Sequence, residues 1–87
     1  MSANKIAKEV SEQTGIGILK TYEEDDQADG GFEWSMDDED YHVQIAKYNS
    51  KPFLLHKSLP NGCIQMIAAC SSVDTLCIEI NAILTSS

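Results

Sequence analysis

Residues 32–48 read FEWSMDDEDYHVQIAKY. Phe32, Trp34 and Met36 alternate with Glu33 and Ser35; DDED (37–40) interrupts; Tyr41, Val43 and Ile45 then alternate with His42 and Gln44. A period of two is the pattern of a strand with one buried face. Two such runs across a short polar break predict an antiparallel hairpin.

The same grammar extends in both directions. Upstream, Ile16, Ile18 and Tyr22 alternate with Gly17, Leu19 and Thr21, which predicts a first strand, and DQADGG (26–31) then breaks regular structure. Downstream, NSKP (49–52) is a turn signal, FLLHKSL (53–59) a strand, PNG (60–62) a hairpin turn and CIQMIAAC (63–70) a last strand. The short connections favour an antiparallel meander. The two ends change period. Ala3, Ile6, Ala7, Val10 and Thr14 fall on one helical face, with Ser2 placed to cap the start and Gly15 to end it. Over residues 72–84, Val73, Leu76, Cys77, Ile80, Ile83 and Leu84 form a second stripe behind a Ser72 cap, with Asp74 in the first turn. The expected fold is α+β: one domain over residues 1–87, an antiparallel meander of four to five short strands flanked by an N-terminal and a C-terminal helix. Both helices are expected on one face.

The chain has 87 residues and a formal net charge of −8, with 43% apolar residues. A chain this short buries about 60–65% of its unfolded surface, so its core is small and a homodimer would bury more. The charge is uneven. Residues 23–40, EEDDQADGGFEWSMDDED, hold ten of the fourteen carboxylates and no basic residue. The six lysines and four other acids outside that segment sum to +2. With no arginine and no lysine cluster, direct binding to nucleic acid or to an anionic membrane is disfavoured. No apolar run nears the ~18 residues that span a bilayer, and the N-terminus lacks a secretory apolar region. Three cysteines without paired spacing fit a reducing cytoplasm, and Cys63, Cys70 and Cys77 are each expected as small buried hydrophobes.

The motifs of catalysis are weak. No nucleophile-elbow context surrounds the cysteines, although His42 and His56 are available as bases. The cysteines are seven apart, unlike zinc ligands. From Asp25, DDQADGGFEWSM places Asp29 and Gly30 as a calcium loop would, but Gln27 and Met36 occupy ligand positions, leaving at most a weak cation site over residues 25–33. Hydrated carboxylates are poor acid–base pairs, and TGIGIL lacks a phosphate-binding lysine. The expectation is a protein without enzymatic activity, cofactor or metal.

Three readings of the acidic segment stay open: a solvated connection, a docking surface for a cationic partner, and a mimic of nucleic-acid phosphates that inhibits a cationic or nucleic-acid-binding protein. FLLH places Phe53 and Leu55 on one strand face and Leu54 on the other, and MIAA is apolar on both faces. Such a sheet either binds a partner or lies between helices. The partner-binding residues expected on this basis are Trp34, Phe53, Leu54 and Leu55, steered by Asp37, Asp38, Glu39 and Asp40.

In layout, IAKEVSEQTGIGILKTYEEDD, FEWSMDDEDYHVQIAKY and KPFLLHKSLPNG (residues 6–62) resemble the small acidic chaperones of type III secretion effectors. Those proteins are longer, with a middle helix that builds a homodimer. The resemblance implies a non-catalytic, homodimeric protein that holds an extended segment of another chain against its sheet. It implies no individual site residue.

Overall fold

The computed structural model describes residues 2–86. The hairpin of residues 32–48 is its centre: β2 (Gly30–Met36) and β3 (Glu39–Ile45) pair antiparallel, with Trp34 opposite Tyr41 and Phe32 opposite Val43. Asp37 and Asp38 make the two-residue turn, both at positive φ (52° and 65°). Positive φ at both central positions is the type I′ geometry that matches strand twist, and Asp tolerates it better than most residues. Two acids of the opening stretch therefore have a backbone reason to be there.

β1 (Ile18–Tyr22) adds to β2, while β4 (Phe53–Ser58) and β5 (Ile64–Cys70) add in turn beyond β3. The result is a five-stranded antiparallel meander in the order β1-β2-β3-β4-β5. α1 (Ala3–Thr14) and α2 (Val73–Ser86) lie side by side on one sheet face, α1 over β1 and β2, α2 over β4 and β5. Ser2 Oγ accepts from the Lys5 N–H and Ser72 Oγ from the Thr75 N–H, so both expected caps form. Gly15 ends α1 at φ 83°, where a Cβ would be strained.

The core lies between the helices and the covered sheet face. Ala3, Ile6, Ala7 and Val10 of α1 and Leu76, Cys77 and Ile80 of α2 close over Phe32, Trp34, Tyr41, Val43, Ile45, Phe53, Leu55 and Cys70. Phe32, Trp34 and Tyr41 stack in series, each neighbouring pair of ring centroids 5.8 Å apart. The first strand is shorter than its alternation suggested. Ile16 is buried ahead of the strand, and β1 shifts register between Ile18 and Lys20, so Leu19 is an extra residue that breaks the alternation. Cys63 is exposed, against expectation: it precedes β5 at the end of the turn, while Cys70 and Cys77 are buried as expected.

Candidate functional site

Among the described residues no helix or strand packs over the opposite face of the sheet, and β1 and β5 are its edges. Three of the expected partner-binding residues are not on these surfaces. Trp34 (1% exposed), Phe53 and Leu55 point under the helices, because their strand parity places them with the apolar rows of β2 and β4. They cannot meet a partner without opening the core. Leu54 is on the uncovered face, half-buried. Asp37 and Asp38 stand exposed at the hairpin tip, and Asp40 lies on the uncovered face, accepting from Ser35 Oγ at 2.6 Å. Glu39 turns toward α2 instead. It accepts from Lys57 Nζ at 2.9 Å and from Tyr41 Oη at 3.0 Å, beside a cleft of about 370 Å³ that Met36, Ile67 and Ile83 also line. Lys57, then Tyr41, holds the Glu39 carboxyl below the usual range, and Glu39 in turn raises Lys57.

Most other acids of residues 23–40 serve the chain's own donors. Glu23 accepts from the Ala3 and Asn4 N–H groups at 3.0 and 2.8 Å, so a loop carboxylate meets the positive end of α1 and ties the helix to the segment after β1. Glu24 pairs with Lys47 at 3.0 Å. Asp25 accepts from the Gln27 and Ala28 N–H groups, both at 2.8 Å, and Asp29 accepts from Gln44 at 2.8 Å. These are turn and loop bonds. Among the described residues no three His, Cys, Asp or Glu side chains come together as metal ligands.

Across the uncovered face one row runs through all five strands: Lys20, Glu33, His42, His56 and Met66. The two imidazoles stack with centroids 4.6 Å apart. Burial, then the neighbouring His56, lowers the pKa of His42 below its ordinary 6.5, against an opposing pull from Glu33. The unfolded chain therefore binds the proton more readily, and His42 contributes stability above pH 6.5 that is lost as pH falls through its lower folded pKa. Urea midpoints should drop between pH 7.5 and 5.5, and His42→Phe, which keeps a ring on His56, should flatten the drop. An equal drop in both proteins would remove His42 as its source. No cysteine lies in this row. Burial pushes the Cys70 and Cys77 thiols up, away from the reactive thiolate.

A second concavity lies at the β1 edge. There α1 and β1 form the two sides of a groove of about 500 Å³. Ala7 is buried in it and Ile18 half-buried, Leu19 is 69% exposed, and Asn4, Lys8, Ser11, Glu12, Lys20 and Thr21 supply polar walls. Tyr22 stands exposed at the end of the strand, under the nitrogen of Lys20 at 4.9 Å from its ring centre. The acidic segment begins at the next residue. Sequence reading passed over Leu19 and Tyr22; the adjacent apolar pair Ile18–Leu19, which a regular one-faced strand does not need, was the available signal. No helix among the described residues is long and apolar enough to cross a membrane. Comparison with protein families, curated proteins and solved structures finds no match.

Proposed function

We propose that this protein is a small non-catalytic binding module, chaperone- or adaptor-like, that holds an extended segment of another protein in the groove between α1 and β1. The observation that carries this is the groove itself: an edge strand with no neighbour on one side, beside an exposed Leu19 and a helix wall. A free edge offers backbone donors and acceptors to an added strand, and alternate side chains of that strand find the pocket. The fitting segment is extended, apolar at alternate positions to pack on Ile18 and Leu19, and basic where it passes the acids from Glu23 onward. Those acids speed the encounter, and the groove supplies the affinity. The resemblance in layout to type III secretion chaperones points to the same class, and three free cysteines fit a cytoplasmic setting.

A photo-crosslinking residue at Leu19 tests this, with one at Asn81 on the exposed side of α2 as control. One protein should be captured from Leu19 and not from Asn81. With that protein purified, Leu19→Asp should weaken the pair at least tenfold, and added salt should slow association more than it speeds dissociation. Unchanged affinity on Leu19→Asp would show that the groove is not the site.

A further inference from the structure

The other edge of the sheet has a different character. From Ser58 to Val73 every side chain is uncharged, and β5 lies wholly within that stretch. Edge strands are usually guarded by lysine, proline or other charges. β1 has Lys20, with Lys8 across the groove. β5 has only the bulge at its register shift opposite Leu55 and His56. Beside that edge Ile64 is 61% and Met66 50% exposed, and Gln65 and Ala69 are exposed as well. α2, packed over β4 and β5, carries only Asp74 and Glu79 as charges, and its Ile78 is 67% exposed.

The charge of the rest of the molecule selects what covers this edge. Contacts between copies that brought two segments 23–40 together would oppose ten negative charges to ten. The β5 edge lies across the sheet from β1 and the loop that follows it. Its nearest acids, Asp37 and Glu39, share a cleft with Gln65 and Ile67 near one end of the strand, and antiparallel pairing about a two-fold sets those ends of the two copies apart. We infer that the β5 edge and the adjoining flank of α2 bind a second copy of this chain. The two β5 strands pair antiparallel about a two-fold axis and join two five-stranded sheets into one of ten. A seven-residue strand is about 23 Å long at ~3.3 Å per residue. A small stable interface needs ~600 Å² per partner, so the flank of α2 is buried together with the strand edge. The two grooves then sit at the outer edges of the joined sheet, free for partner segments.

Two charge variants test the interface whatever the register of the ladder: Gln65→Lys with Ala69→Lys, and Gln65→Glu with Ala69→Glu. By light scattering the unaltered chain should have twice its 9.6 kDa mass. Each variant alone should dissociate at least tenfold more readily, because like charges then face each other across the axis. An equimolar mixture should re-form the dimer, a result unfolded chains cannot give. Independently, amide exchange in the unaltered chain should slow over residues 64–70 as concentration rises from micromolar to millimolar. A monomer throughout that range, or variants that dimerise as the parent does, would overturn the interface. Leu19→Asp at the other edge should leave the dimer intact, so loss of partner capture and loss of self-association are separately visible.

Discussion

Trp34→Ala should leave a chain that is mostly unfolded at 37 °C. Trp34 is 1% exposed, at the centre of the Phe32–Trp34–Tyr41 stack and on a strand that α1 covers. Removing a buried tryptophan to alanine costs about 3–5 kcal/mol, through lost apolar transfer and the cavity left behind. A domain of this length has a total stability of roughly 4–13 kcal/mol at 0.05–0.15 kcal/mol per residue, so the loss is a large share of the whole. Urea unfolding followed by circular dichroism measures it. The result also separates two roles: a tryptophan on a binding surface would spare stability and cost affinity. A loss below about 1 kcal/mol, outside the range for buried aromatics, would put Trp34 outside the core. Trp34 Nε1 has no hydrogen-bond partner among the described residues. An unpaired buried donor costs about 1–3 kcal/mol, so Trp34→Phe should be milder than its lost volume suggests.

Gly31→Ala should be the most damaging single methyl addition in the chain. A Cβ at Gly31 would drive into the carbonyl oxygen of Val43, on the β2–β3 pairing that centres the sheet. A backbone atom held in a ladder on both sides cannot retreat as a side-chain tip can. The cost should lie near the top of the usual overpacking range, about 3 kcal/mol. Gly17→Ala is the control, because nothing lies within 4 Å of a Cβ there. That change should be neutral within ~0.5 kcal/mol or slightly stabilising, since alanine restricts the unfolded chain. Similar urea midpoints for the two variants would mean that β2 and β3 do not approach as closely as described. Gly31 also opens a gap on the uncovered face between Tyr22 and Gln44, its neighbours in register on β1 and β3, so the same substitution reports on that face.

The acidic stretch was legible as a feature and illegible as a role. Composition marks residues 23–40 as one acidic segment, and alternation correctly set the parity of Phe32, Trp34, Tyr41 and Val43. Nothing local could reveal that Glu23 caps α1 from some twenty residues away, or that Glu39 turns to Lys57 while Asp40 turns to Ser35. Those assignments follow from which face of the sheet the helices cover. The same ignorance misdirected the binding residues. Trp34, Phe53 and Leu55 stand at the parity of their strands that faces the helices, and for that reason the fold takes them for its core, while Leu54, equally apolar, is left on the other face. Leu19 is exposed because a bulge adds a residue to β1, and a bulge is a property of the pair of strands rather than of either sequence.

The sequence by itself determined the elements, their order and their caps. Periods of two and 3.6, the Asp37–Asp38 turn, Gly15 and the Ser2 and Ser72 caps act within a few residues, where backbone sterics and hydrogen-bond geometry decide the outcome. Only the tertiary structure decided which apolar residues remain outside. Two helices on one face leave the other face and both edges bare, and the placement of charges from separate segments makes one edge charged and the other neutral. Exposure and electrostatics are sums over residues far apart in the chain, so they exist only once the chain has closed on itself.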